Sequence, residues 1–147
     1  MPPGPTPPSH LRVVAALLRV IIVDDDPAVL RSFKRAIKVR RPAWEVTTVS
    51  DSQQAIEHLS EGNCDVFVTD YEMPDLNGVE LLTKVQQQWP SVRRVILSGK
   101  PADLADFAPG SLVQAWVRKA WGADELIAVV EDLVAESGMP EKRQNAL

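Results

Sequence analysis

Five short apolar runs, each followed by a window of helical character, restrict this chain to a narrow set of folds. The runs occupy residues 20–23, 45–49, 65–69, 92–97 and 112–117. They have strand length and little polar alternation, the pattern of strands covered on both faces. The first helical window, 28–39, carries Leu30, Phe33 and Ile37 on one face, with Asp26 placed to cap it and Pro27 at its first position. The second starts near Ser52, presents Ala55, Ile56 and Leu59, and meets a stop at Gly62. The third is announced by Asn77 with Glu80 three residues on, presents Leu82, Val85 and Trp89, and ends at Pro90. A short fourth window spans 102–107, and a fifth, 123–137, aligns Leu126, Val130 and Leu133. Repeated strand–helix units predict an α/β domain with a parallel sheet between two layers of helices.

Composition sets the limits of that domain. The chain has 147 residues, is 45% hydrophobic and 24% charged, and fits one globular domain without room for a second catalytic one. Residues 1–11, rich in proline, read as a disordered lead, 12–137 as the folded domain, and 138–147 as a flexible tail. A net charge of -4, with no basic face or block evident, argues against nucleic acid and for protein partners. The apolar stretch 11–23 is broken by Arg12 and Arg19 and runs into three aspartates, so it reads as neither signal peptide nor membrane span. The single Cys64 has no internal partner for a disulfide, which fits a cytoplasmic location.

The ends of the runs carry the chemistry. Asp24 and Asp25 follow the first, Asp70 the third, Ser98 the fourth and Lys119 the fifth. Ligands of open α/β sheets bind outside the carboxyl ends of the strands, so these side chains are expected in one crevice. If the strand order is 2-1-3-4-5, the first and third strands are neighbours, and three carboxylates suit a hard cation such as magnesium. Asp70, alone at its strand end, is the candidate nucleophile toward a phosphoryl group. Magnesium and Lys119 would offset charge and Ser98 would donate to a phosphate oxygen.

The run VIIVDDDP, the segment VTDYEMPDLNG, the hydroxyl in VILSG and the lysine in WVRKAW resemble the receiver domain of two-component response regulators, over roughly residues 19–134. The resemblance implies a flavodoxin-like (βα)5 doubly wound sheet of order 2-1-3-4-5 and a single-domain response regulator. It implies that Asp70 accepts a phosphoryl group from a phosphohistidine on a sensor histidine kinase or phosphotransfer protein. Asp24, Asp25, Asp70 and the backbone carbonyl of Glu72 would hold Mg2+. Ser98 and Trp116 would form the switch that reshapes the face of the fourth helix, fifth strand and fifth helix, through which the family often dimerises. Glu72 and Lys100 occupy the positions that tune loss of the phosphoryl group, and their opposite charges suggest a pair screening the acyl phosphate from water. The chain would not be an enzyme beyond its own phosphoryl transfer and autodephosphorylation.

The chain departs from the family pattern at three places. Ala120 follows Lys119 where the family usually has a cis-joined proline, and a cis bond to alanine would cost about 2.5–4 kcal/mol. Gly99 replaces the usual alanine after the hydroxyl, and Trp116 is bulkier than the usual tyrosine or phenylalanine. A pseudo-receiver scaffold is the alternative that these departures suggest. A haloacid-dehalogenase-type phosphatase, using Asp24 and Asp26 as a D-x-D pair, is a further one, although the glycine-threonine continuation of that motif is missing. The cognate kinase, the downstream target and the oligomeric state are not encoded in any motif.

Overall fold

The computed structural model describes residues 18–62, 64–73, 77–99 and 111–138. Five parallel strands form one sheet in the order β2-β1-β3-β4-β5: β1 is Arg19–Val23, β2 Glu45–Val49, β3 Val66–Asp70, β4 Arg93–Ser98 and β5 Ala115–Arg118. The helices are α1, Pro27–Arg40; α2, Ser52–Ser60; α3, Gly78–Gln88; and α4, Gly122–Gly138, which corresponds to the fifth helical window of the sequence. The window at 102–107, the proline-rich lead and most of the tail lie outside the described residues. So does the expected start of the domain at residue 12.

Alternation along each strand divides the core into two layers. Val20 and Ile22 face α1 and α4, together with Val66, Val68, Val95 and Leu97. Ile21, Val23, Phe67 and Ile96 face the other way, onto Ala55 and Leu59 of α2 and Leu81, Leu82 and Val85 of α3. Full burial of a side chain such as Phe67 stabilises the fold by about 1.5–3 kcal/mol, so both layers are needed to hold the sheet.

The caps anticipated in the sequence are formed. The Asp26 side chain accepts from Ala28 N at 2.9 Å, with Pro27 opening α1. Asn77 and Glu80 make a reciprocal capping box at α3, 2.8 and 3.2 Å long. Gly62, just past α2, has φ +80°, a conformation glycine adopts at no steric cost.

Two local readings are corrected, and a third holds. Strand β5 begins at Ala115, not at residue 112: Leu112 and Val113 are buried, but they enter the core from a turn. Trp89, expected beside Leu82 and Val85, is the half-buried C-cap of α3 and packs against the same core layer as they do, with Pro90 following the helix end. A basic face does exist. Arg31, Lys34, Arg35, Lys38 and Arg40 are all exposed on α1, a helix with no acidic residue. Arg40 pairs with Asp124, and Arg41, just beyond the helix, grips Glu131 at 2.6 and 3.3 Å, so part of this charge latches α1 to α4.

Candidate functional site

Strand register assembles the site. Val23 pairs with Thr69, so Asp24 and Asp70, the next residues on each strand, emerge side by side. Asp70 pairs with Leu97, which puts Ser98 one step further on β4. Ser98 in turn pairs with Arg118, and Lys119 is the next residue of the chain. Four strand ends thus deliver their polar groups to one open cleft of about 610 Å³, lined by Asp24, Asp25, Asp26, Asp70, Tyr71, Glu72, Met73, Ser98, Gly99 and Lys119.

Lys119 organises the charge within it. Its Nζ lies 2.7 Å from Asp24 Oδ2 and 3.1 Å from Asp70 Oδ1. The Lys119–Ala120 bond is trans, and the lysine turns into the cleft from the start of a single 3-10 turn, Lys119–Trp121. Burial lowers the proton affinity of this ammonium, but hydrogen bonds and charge from Asp24 and Asp70 outweigh it and raise the pKa overall.

Asp24 is fully buried. Its Oδ1 accepts from Asp26 N at 2.9 Å, and its Oδ2 receives the Lys119 ammonium. Asp70 is nearly as buried, and its pKa is pushed up to about 6, mainly by burial and then by the Asp24 charge, against the opposing pull of Lys119.

Oxygens of Asp24, Asp25 and Asp70 lie within 4.8 Å of one another, with Asp25 exposed at the mouth. Three carboxylates facing one ammonium leave surplus negative charge, and the buried Asp24 Oδ2 has acceptor capacity left. That donor set fits a hard divalent cation that retains waters on its solvent side. Asp26 is engaged as a helix cap and not as a partner of Asp24 in a D-x-D pair.

The other expected residues are placed less uniformly. Ser98 is buried at the end of β4 and lines the cleft, and Glu72 is exposed at its rim. Trp116 stands on β5 opposite Ile96, half-buried against the α2–α3 side of the core, and is not among the cleft-lining residues. Lys100 lies outside the described residues.

Two residues escaped the sequence reading. Gly78 opens α3 against the end of β3, donating its N–H to Tyr71 O at 2.6 Å. Its place as the last residue of the segment VTDYEMPDLNG was the available signal. Arg94 is a buried arginine at the opposite end of the sheet. It donates to the carbonyls of Leu112 and Val92, each at 2.8 Å, and of Pro90 and Ser111, each at 3.3 Å. An arginine inside an apolar run was its only mark.

Comparison with known proteins agrees with this geometry. The response regulator receiver domain family matches residues 20–131. The hydrogenase transcriptional regulatory protein HoxA of Cupriavidus necator is 30% identical over 123 residues, which cover 82% of this chain and 25% of that protein. The transcriptional regulatory protein TrcR of Mycobacterium tuberculosis is 28% identical over 141 residues, covering 95% of this chain and 53% of TrcR. The chain therefore spans about a quarter to a half of these curated relatives. A CheY-like response regulator receiver domain protein from Methanospirillum hungatei superposes with a TM-score of 0.75 at 23% identity, covering 83% of this chain and 97% of that one, and shares the fold. The flavodoxin-like sheet of order 2-1-3-4-5, the strand-end cluster and the family match over residues 20–131 together establish that this chain belongs to the receiver domains of two-component response regulators.

Proposed function

We propose that the chain accepts a phosphoryl group on Asp70 from a phosphohistidine of a sensor histidine kinase or phosphotransfer protein. An Asp70 oxygen attacks phosphorus, the Asp–O–P bond forms as the histidine N–P bond breaks, and the departing imidazole nitrogen keeps the electron pair and takes up a proton. The observation that carries this reading is the Lys119 ammonium bridging Asp24 and Asp70: a cation is already poised beside the nucleophile. Lys119 can follow the incoming charge, and the Ser98 hydroxyl can donate to a phosphoryl oxygen.

Asp24, Asp25, Asp70 and the Glu72 backbone carbonyl are the proposed holders of Mg2+, which supplies neutralisation of the phosphoryl charge. Water later attacks phosphorus, returning the carboxylate and releasing phosphate, so the chain turns over only its own modification. Glu72 at the cleft rim is placed to influence that step. The output is a phosphorylation-dependent contact with a downstream protein, involving Ser98, Trp116 and the face of β5 and α4, which also serves for self-association. Among the described residues no helix is long and apolar enough to cross a membrane, and we place this chemistry in the cytoplasm.

Incubation with Mg2+ and phosphoramidate or acetyl phosphate, followed by intact mass, tests the reading. One added phosphoryl group, absent in Asp70→Asn, supports it. No gain in wild type points instead to a pseudo-receiver, and sustained turnover of p-nitrophenyl phosphate points to a phosphatase.

A further inference from the structure

The lysine in the cleft has no proline behind it, and a trans Lys119–Ala120 bond leaves the turn that carries it to be fixed by other means. Two contacts fix it. The N–H of Gly122 donates to Lys119 O, closing the 3-10 turn, and φ +79° at Gly122 carries the chain out of that turn into α4. On the outer surface, the Arg118 guanidinium carbon stands 5.3 Å from the centroid of the Trp121 ring. A 3-10 turn repeats every three residues, so side chains three apart stack one above the other, and Arg118 and Trp121 have that spacing. Trp121 is 53% exposed, one of two large hydrophobic residues so exposed among those described, and it is not there to fill the core.

We propose that Arg118 and Trp121 are positioning residues: their cation–π contact staples the turn from outside and holds the Lys119 ammonium on Asp24 and Asp70 inside. The proposal rests on the phosphoacceptor reading for its kinetic consequence, but not for its geometric one. Arg118 is also the register partner of Ser98, so the staple is anchored on a strand residue adjacent to the site. Neither side chain reaches the reacting atoms. Both act through Lys119.

An exposed cation–π contact contributes about 0.5–1 kcal/mol, which corresponds to a two- to five-fold change in a rate that depends on Lys119 being in place. The experiment measures two quantities in wild type, Trp121→Ala, Trp121→Phe, Arg118→Gln and Arg118→Lys. One is the rate of phosphorylation by phosphoramidate with Mg2+. The other is the 15N-detected ammonium signal of Lys119 in the metal-free protein, assigned by its loss in Lys119→Met.

The expected result is a two- to five-fold slower rate and a broadened ammonium signal in Trp121→Ala and Arg118→Gln, with both recovered in Trp121→Phe and Arg118→Lys. A small-molecule donor makes no protein interface, so loss of a partner docking site would leave these rates unchanged. Equal rates and equal ammonium signals across the series overturn the proposal. Should wild type take no phosphoryl group, the phosphoacceptor reading fails, and the ammonium signal alone decides: an unaltered signal in Trp121→Ala overturns the staple, and a broadened one upholds it.

Discussion

Gly78 and Asp70 are in backbone contact: a Cβ on Gly78 would stand 2.5 Å from the Asp70 carbonyl oxygen and 3.0 Å from Tyr71 Cα. Both obstacles are main chain and belong to the strand end that presents Asp70, the proposed phosphoacceptor. Gly78→Ala should therefore displace Asp70 and destabilise the domain by about 1–3 kcal/mol, the usual cost of overpacking. Helix propensity alone would favour alanine by about 1 kcal/mol, so a loss in urea unfolding isolates the steric effect. Phosphorylation of Asp70 should slow in the same variant.

Asp70 gives the metal-free protein a pH dependence with a definite sign. Its pKa of about 6 in the fold lies above the ordinary carboxylate value of 3.8, so the native state binds the proton more tightly than the unfolded chain. That stabilisation is complete below about pH 4 and is lost as pH rises through about 6. In EDTA, wild type should lose on the order of 1–2 kcal/mol relative to Asp70→Asn across this window, allowing for solvent screening. Millimolar Mg2+ should flatten the difference. Denaturant midpoints at pH 4.5 and 7.5 check both statements.

Lys119→Met removes the ammonium shared by Asp24 and Asp70 and leaves buried negative charge without its partner. Breaking a buried pair from one side costs about 3–5 kcal/mol; here, with Lys119 itself only partly buried and Asp25 exposed at the mouth, the loss should fall nearer about 1–3 kcal/mol. Added Mg2+ should restore much of it. Thermal melts with and without the ion would show a larger magnesium response in Lys119→Met than in wild type.

At the other end of the sheet, Arg94 satisfies four carbonyls from two segments, 90–92 and 111–112, with one planar group. Burial lowers its pKa first, and the neighbouring Arg93 adds to this, yet a guanidinium remains charged. Arg94→Met should cost about 2–4 kcal/mol by orphaning buried acceptors, and Arg94→Lys should recover little of it, because an ammonium cannot span the same fork. Chemical denaturation of the three proteins tests the order.

Cys64 donates its thiol to Val66 O at 3.2 Å, and burial pushes its pKa up to about 12. The native thiol should resist a disulfide reagent at pH 8 and react within seconds in denaturant.

Much of this was legible because local rules suffice for it. Asp26 and the Asn77–Glu80 box announce helix starts through side chains that reach only two or three residues along the chain. The site was legible because parallel strands end on one side of the sheet, so Asp24, Asp70, Ser98 and Lys119 had to meet once the strands were found. What stayed hidden depends on partners distant in sequence or on hydrogen bonding. Leu112 and Val113 are apolar because they are buried, and burial does not state whether a residue pairs in a sheet. Arg94 looked like a break in an apolar run because its acceptors are carbonyls, which every residue has and no sequence marks. The basic face of α1 went unnoticed in a chain of net charge -4, because a net charge does not show how the charges are distributed over one helix.

The ammonium in the cleft also means that the site is never a bare trough of negative charge. Lys119 is a tethered counter-ion on one oxygen each of Asp24 and Asp70, and a divalent ion entering the cleft would share these carboxylates with it. Cation uptake would then be tuned by the lysine as well as by the carboxylates. Apparent affinity for a divalent ion would therefore depend on how firmly one turn of backbone holds a lysine, and a change far from any carboxylate could retune it without altering a single proposed ligand.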